Sequence, residues 1–321
     1  MIEINGISKS FGSNKAVQNV SLNIAERENL ILLGTSGCGK TTTLKMINRL
    51  IEPDLGTIYI DGKNSTDQNP DILRRGIGYV MQNTGLFPHY TVEQNIAVVP
   101  KLLKWDKKKT NNRIQELIEK LRLPQICLKQ LPHQLSGGQQ QRVGLARALI
   151  TNPPVLLMDE PFGALDNVTR TSIQAEFKEL EELKRKTIVM VTHDVQEAFD
   201  LGDRISLMDK GVIVQTGTPK ELLYKPANDF VKKFFDGQRL ALEFKVVKLQ
   251  DVWMYLPSES KSSPNDKNIS ADISIWKALE LLKSEKSNLE IFNPVNQEYK
   301  TADFAAVTIA FSNYQNNGNH E

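Results

Sequence analysis

The sequence predicts an α/β fold: a parallel sheet carrying a phosphate-binding loop, with a β-rich N-terminal subdomain, a helical insertion at about 87–150 and a small α+β C-terminal region. Three observations predict it. Gly34-Thr35-Ser36-Gly37-Cys38-Gly39-Lys40-Thr41 fits the pattern G-x-x-x-x-G-K-[ST]. It lies between an apolar run, Asn29 to Leu33, and a stretch where Leu44, Ile47 and Ile51 recur at helical spacing. Strand, glycine-rich turn and helix is the arrangement that pattern needs. Lastly, two further apolar runs end in Asp159-Glu160 and His193-Asp194. Such runs read as buried strands that deliver polar groups to the ligand-binding edge of a parallel sheet.

Composition sets the outer limits. At 321 residues and 40% hydrophobic, the chain has room for one large domain and a smaller one. Lys+Arg (40) and Asp+Glu (38) nearly cancel to a net +2, which gives no electrostatic case for nucleic acid as a partner. Cys38 and Cys127 stand far apart, which is no disulfide framework and suits a reducing cytosol. No apolar stretch approaches the ~18 residues of a membrane span. Met1 to Asn5 lacks the regions of a signal peptide. Any membrane role is therefore expected to come through partner chains. Lys107-Lys108-Lys109 beside Trp105 reads as a solvated helix start rather than a lipid contact.

In chain order, Ile2/Ile4 and Val20/Leu22/Ile24 alternate with polar neighbours, as half-buried strands do. Ser10 to Asn14 is turn chemistry carrying Phe11. Position alone favours a core role for Phe11, yet an aromatic in a turn is free to stack on a flat ligand such as adenine. The glycines of the loop let backbone N–H groups face a polyphosphate, and the following helix N-terminus adds partial positive charge. Lys40 is placed to reach the β- and γ-phosphates, and the Thr41 hydroxyl is a candidate Mg²⁺ ligand. Helix N-terminal charge can lower the Cys38 thiol pKa and make it reactive; a small buried filler is the plainer alternative. Thr57 to Gly62 reads as a strand running into an Asp-Gly turn. Ile77 to Gln82 reads as another, and Gln82 at its end either ligates Mg²⁺, orients water, or is only a polar terminus.

The insertion is punctuated by Pro88, Pro100, Pro124 and Pro132, with a helical apolar stripe at Ile114, Leu117, Ile118 and Leu121. It ends at Leu135-Ser136-Gly137-Gly138-Gln139, where Ser136 suits an N-cap and the glycines leave the backbone open, a second possible anion site. Asp159 reads as the Mg²⁺-side acid. Glu160 faces the other way on strand alternation and is a candidate to polarise an attacking water; two solvated acids are the plainer alternative. A lone histidine is more often structural, but His193 at the end of a core strand can reach a γ-phosphate. Ala164 to Asp166 is a turn before a helix with Ile173, Phe177 and Leu180 on one face, and Lys210-Gly211 turns a hairpin. A helix at Glu221–Tyr224 and a short docking helix at 228–236 close the first domain. Beyond Gly237, Glu243–Val252 reads as a strand and 258–272 as a loop or linker. Ile273–Ser284 reads as an amphipathic helix, Leu289–Phe292 as a strand and Asn313–Glu321 as a disordered tail.

Over about residues 1–236 these elements resemble the ATPase subunit of an ABC transporter. Walker A is Gly34–Thr41, the signature Leu135–Gln139, Walker B Val155–Glu160, the D-loop Gly163–Asp166, the Q-loop glutamine Gln82 and the switch histidine His193. The resemblance implies a P-loop NTPase fold of the ABC ATPase type, with ATP and Mg²⁺ as cofactors. ATP is then held by Phe11, stacked on adenine, and by Gly34 through Thr42. Thr41, Gln82 and Asp159 serve Mg²⁺, while Glu160, His193 and Gln82 serve catalysis. Two subunits pair head to tail, the signature of one capping the γ-phosphate on the Walker A of the other, so a homodimer holds two ATPs. Asp166 belongs to the D-loop. Implied partners are integral membrane permease subunits, docked near Gln82 on the insertion, and an extracytoplasmic solute-binding protein acting through them. The implied location is peripheral, on the cytoplasmic face of the cell membrane.

A finer resemblance, carried by Gln82-Asn83-Thr84-Gly85-Leu86-Phe87-Pro88-His89, Asn95 to Pro100 and Leu131 to Gln134, is to the glycine betaine/carnitine/choline importers. That group often appends paired CBS modules. Residues 237–321 have room for about one, and Thr301-Ala302-Asp303 has one spacer where the family's Thr and Asp have two. The alternatives are an importer for another solute and a soluble ABC ATPase. Soluble members usually carry two ATPase domains or a long coiled-coil insertion, and this sequence has neither.

Overall fold

The computed structural model describes residues 1–257, 268–284 and 288–317. It divides into two compact units, Met1–Thr216 and Gly217–Glu321.

The first unit contains strands β1 (Ile2–Phe11), β2 (Asn14–Ile24) and β3 (Asn29–Gly34), helix α1 (Lys40–Ile47), β4 (Leu55–Ile60), β5 (Lys63–Asn64), α2 (Pro70–Arg75) and β6 (Ile77–Val80). The insertion follows as α3 (Val92–Ile96), α4 (Val98–Leu102), α5 (Lys107–Lys120) and α6 (Gly137–Leu149). Then come β7 (Val155–Asp159), α7 (Asn167–Glu179), β8 (Thr187–Thr192), α8 (Val195–Leu201), β9 (Arg204–Asp209) and β10 (Val212–Gly217).

These strands form two sheets. The first, β2-β1-β4-β5, is antiparallel. Its register pairs Ile2 with Ile24 and Ile4 with Leu22, which puts alternate residues on one buried face. The hairpin tip between β1 and β2 leaves Phe11 half exposed. The second sheet has the order β10-β9-β3-β8-β7-β6, with parallel pairing from β9 through to β6. Every residue of β7 and β8 is buried, as is all but the first of β3. Uninterrupted burial requires cover on both sheet faces, which explains why these strands read as solid apolar runs. Because β3, β6, β7 and β8 run in one direction, the segments after them emerge along a single edge. The Asp61-Gly62 and Lys210-Gly211 turns have φ of 51°, 71°, 45° and 85°, the positive values a two-residue I′ hairpin demands.

The loop from Gln82 into the insertion is pinned from two sides. Asn95, fully buried, accepts from the Phe87 N–H at 2.7 Å and donates to the carbonyls of Phe87, Tyr90 and Thr91. Arg147 donates to the carbonyls of Thr84 and Gly85, at 2.7 Å each. Both anchors satisfy backbone groups that no strand or helix partner would otherwise fill.

The second unit contains α9 (Pro219–Tyr224), α10 (Asp229–Asp236), α11 (Arg239–Val246), β11 (Ile269–Ser270), α12 (Ile275–Ser284), β12 (Leu289–Asn293), β13 (Glu298–Ala302) and α13 (Phe304–Asn316). Its sheet runs β11-β12-β13, the first pair parallel and the second antiparallel. Its own core includes Leu249, Trp253, Ile275, Ile291 and Phe311.

Two sequence expectations need correction here. The compact units divide at Thr216/Gly217, upstream of the composition shift near 237. Within the second unit Tyr224 meets Tyr314 edge-on at 6.3 Å, and Arg239 donates to the Leu223 carbonyl at 3.0 Å. The strand expected at Glu243–Val252 is the end of α11, supported by an Arg239–Glu243 pair one turn apart, followed by turns in which Val247, Leu249 and Val252 are buried. A short apolar run fits either period. The disordered tail expected from Asn313 is helical to Asn316. Asp303 caps α13 by accepting from the Ala306 N–H at 2.7 Å, and Val307, Ala310, Phe311 and Tyr314 form its buried stripe. Residues 318–321, and 258–267 of the expected linker, lie outside the described residues. Among the described residues no helix is long and apolar enough to cross a membrane.

Candidate nucleotide-binding site

The loop after β3 can close only because its key positions are glycine. A Cβ on Gly34 would lie 2.2 Å from the Met208 carbonyl oxygen, and one on Gly39 2.4 Å from that of Ala16. Both have positive φ as well. Helix α1 starts at Lys40 without a side-chain cap, so its first-turn N–H groups remain available to an anion. The Lys40 ammonium is buried and donates to the carbonyls of Gly34 and Thr35, at 2.8 Å each. Cys38 sits beneath the loop, only 3% exposed, and burial pushes its thiol up despite nearby Lys40. This favours the buried-filler reading of Cys38 over the reactive thiol.

The acids at the end of β7 take different roles. Asp159 is buried and accepts from the Thr41 hydroxyl at 2.7 Å, and burial pushes its carboxyl up. Glu160 lies beyond the strand with φ of 44°. Its N–H donates to the Val191 carbonyl and its own carbonyl accepts from Gly163. A left-handed turn, rather than strand alternation, therefore aims its carboxylate, which corrects the sequence argument while keeping its direction. A non-glycine residue held there stores about 1–3 kcal/mol, a strain that clusters at functional sites. The Glu160 carboxylate accepts from the Gln82 amide at 3.1 Å and lies 3.1 Å from His193 Nδ1.

Phe11, Ser36, Gly37, Gly39, Lys40, Thr41, Thr42, Gln82, Glu160 and His193 line one open cleft of about 550 Å³, with Asn14 and Ala16. The structure thus gathers at one edge residues spread over 180 positions of sequence. It leaves others out. Leu135 is buried, while Ser136 caps α6 in a reciprocal box with Gln139, accepting at 3.3 Å and donating its N–H at 2.9 Å. A Cβ on Gly138 would lie 2.9 Å from Thr169 Cγ2, so helix packing explains that glycine, whereas Gly137 has room. Asp166 caps α7, accepting from the Thr169 N–H at 3.0 Å. None of these lines the cleft.

Sequence reasoning missed Glu197 and Arg170. The Thr192 hydroxyl donates to the buried Glu197 carboxylate and accepts from the Asp194 N–H at 3.0 Å. Asp194 in turn accepts from the N–H groups of Gln196 and Glu197, capping α8. Arg170 reaches Asp194 at 3.4 Å and the Leu165 carbonyl at 3.1 Å, tying the turn before α7 to the segment that carries His193. The sequence signal was Asp194 followed three residues later by Glu197. It reads as an exposed capping pattern, because spacing alone does not show burial. Burial pushes the Glu197 carboxyl up to about 7, with the Asp194 charge adding and the Thr192 bond and Arg170 opposing.

The folded chain therefore holds the Glu197 proton to higher pH than the unfolded chain, and stability falls as pH rises from about 4.5 to about 7. Glu197→Gln should remove that loss. Relative to wild type, the variant should gain on the order of 3 kcal/mol between pH 4.5 and pH 8 in urea denaturation. Parallel stability–pH curves for the two proteins would exclude this account of Glu197.

Residues 17–163 match the family model described as ABC transporter. A choline transport ATP-binding protein of Bacillus subtilis (strain 168) is 48% identical over 287 residues, covering 89% of this chain and 74% of the relative. A glycine betaine/carnitine/choline transport ATP-binding protein of the same organism is 54% identical over 241 residues, covering 75% and 63%. An osmoprotectant import ATP-binding protein of Salmonella typhimurium is 49% identical over 258 residues, covering 78% and 68%. Among solved structures, a dimeric bacterial ABC transporter cassette is 37% identical with a TM-score of 0.62, covering 68% of this chain and 98% of that one. A dimeric cassette in a post-hydrolysis state, bound to ADP and Pi, is 36% identical with a TM-score of 0.61 over the same shares.

Proposed function

Because the chain belongs to the ABC transporter ATP-binding protein family, we propose that it hydrolyses ATP at the edge of its parallel sheet and so powers uptake of a quaternary-amine osmoprotectant such as glycine betaine, carnitine or choline. One observation carries the hydrolytic reading: Glu160, aimed by its left-handed turn, meets Gln82 and His193 at 3.1 Å each in the cleft that holds Lys40.

Lys40 exchanges two neutral carbonyl acceptors for phosphate oxygens, a gain because charge-assisted bonds are the stronger ones. The loop N–H groups and the first turn of α1 surround the polyphosphate. The half-exposed face of Phe11 at the cleft margin suits stacking on adenine. Thr41 and Asp159 offer adjacent hard oxygens, and a divalent cation relieves the burial that pushes Asp159 up, so the pair fits Mg²⁺. Gln82 is the further candidate ligand. When bound, Mg²⁺ supplies charge neutralisation at the β- and γ-phosphate oxygens. Glu160 orients and deprotonates the attacking water. His193 fixes the Glu160 carboxylate and reaches towards the γ-phosphate.

Ser136 and Gly137 are exposed at the start of α6 and stand outside the cleft. We therefore assign them, with Leu135, Gly138 and Gln139, to the ATP of a second copy, and Asp166 to the same dimer face. Permease subunits are assigned to the Gln82 loop. Its anchors Asn95 and Arg147 lie on α3 and α6, so motion of Gln82 is passed to the insertion. A solute-binding protein then acts through the permease, with this subunit on the cytoplasmic membrane face. The order β11-α12-β12-β13-α13 supports reading the C-terminal unit as a single CBS-like regulatory module.

Two outcomes are expected. Glu160→Gln should retain ATP binding, lose about 10²–10⁴ in turnover and accumulate an ATP-bound dimer in size-exclusion chromatography. A variant that stays monomeric with ATP and Mg²⁺ would contradict the paired arrangement. Reconstituted with its permease and binding protein in vesicles, the subunit should drive ATP-dependent uptake of labelled glycine betaine, choline or carnitine. Uptake of none of the three, alongside normal ATPase activity, would leave the ATPase reading standing and overturn the solute class.

A further inference from the structure

A second cleft, of about 1090 Å³, opens near the other edge of the parallel sheet, beside the starts of β7 and β8. Its walls come from one side of α5 along its length, Lys108 to Lys120, from Asn152 and Pro154 before β7, and from Glu181 to Lys186 before β8. The charges lining it do not cancel locally. Arg113 and Lys120 are matched with Glu116 and Glu182. Glu181 pairs with Lys184, and Asp106 caps α5 by accepting from the Lys109 N–H at 2.9 Å. Among the described residues, four cations remain without a carboxylate at ion-pair distance: Lys108, Lys109, Arg185 and Lys186.

Lys186 is the most telling of the four. It is only 4% exposed, and its ammonium donates to the Asn152 side-chain oxygen as its one hydrogen-bond acceptor among the described residues. Two of its three N–H donors are thus left over, and burial pushes its pKa down. The Glu182 charge favours the ammonium from beyond ion-pair distance, and the two remaining donors stay costly to bury unless something else supplies acceptors. The start of α5 also concentrates positive charge. Its first turn carries Lys107, Lys108 and Lys109, with Asp106 at the N-cap as the one acid there, at the helix end that already bears positive charge. The Lys109 ammonium lies 4.0 Å from the centroid of the Trp105 ring, a cation–π contact that holds it at the cleft.

We propose that this cleft binds a small soluble phosphate-bearing anion, with Lys186 and Arg185 at one wall and Lys108 and Lys109 at the other, separate from the nucleotide cleft. The probe is inorganic pyrophosphate, titrated calorimetrically into the full chain with the nucleotide cleft saturated by a non-hydrolysable ATP analogue. Saturable binding is expected, weakened about tenfold or more by Lys186→Met and, independently, by Arg185→Gln with Lys109→Gln, whose exposed positions leave folding intact. The double variant should keep its melting temperature and its basal ATPase rate. Absent saturable binding to wild type, or equal binding by wild type and the double variant, would overturn the proposal. Phosphatidylglycerol vesicles form the second arm. If they sediment the wild type but not the double variant, while pyrophosphate fails to bind, the ligand is a lipid headgroup and the soluble-anion assignment is wrong.

Discussion

The site depends on one steric constraint: the backbone after β3 passes so close to its neighbours that Gly34 and Gly39 have no room for a side chain. That close passage turns the loop carbonyls of Gly34 and Thr35 onto the Lys40 ammonium and leaves the first N–H groups of α1 uncapped. The parallel sheet supplies the rest. With β8 and β7 hydrogen-bonded in sequence beside β3, Asp159, Glu160 and His193 have nowhere to emerge except the edge where the loop sits. The chemistry therefore rests on backbone direction before any side chain is considered.

A second constraint acts on Glu160. Its positive φ separates it from Asp159, so that one acid faces Thr41 and the other faces Gln82 and His193. Two adjacent carboxylates left in one environment would repel and titrate together. Here one is buried against a hydroxyl and the other is hydrogen-bonded to an amide, a separation that permits distinct roles.

The sequence made most of this site legible because its residues follow apolar runs that read as strands. Asp159 ends such a run and His193 follows one directly, while Lys40 is placed by the glycine-rich loop that joins the Asn29–Gly34 strand to its helix. What it obscured depended on burial and on packing between distant segments. Glu197 looks like a capping acid until Thr192 and the surrounding core enclose it. Tyr314, in a polar-looking tail, turns out to be buried and to face Tyr224 edge-on. The run around Phe244 fits both helical and strand periods, and only the Arg239–Glu243 pair and the buried Leu242 decide for helix. Glu160 is the instructive case: the expected direction holds, but the cause is a backbone turn that alternation does not encode.

In the proposed dimer a single chain carries two separated halves of different ATP sites: the cleft around Lys40, and the Ser136 end of α6 outside it. Complementation between defective subunits tests it most directly. A heterodimer of Lys40→Ala with Ser136→Arg concentrates both lesions in one site and leaves the other intact. A heterodimer of wild type with the Lys40→Ala/Ser136→Arg double variant damages both sites. Purified by two affinity tags, the first pairing should retain ATPase activity well above the second. Equal activity from the two pairings would contradict sites shared between subunits.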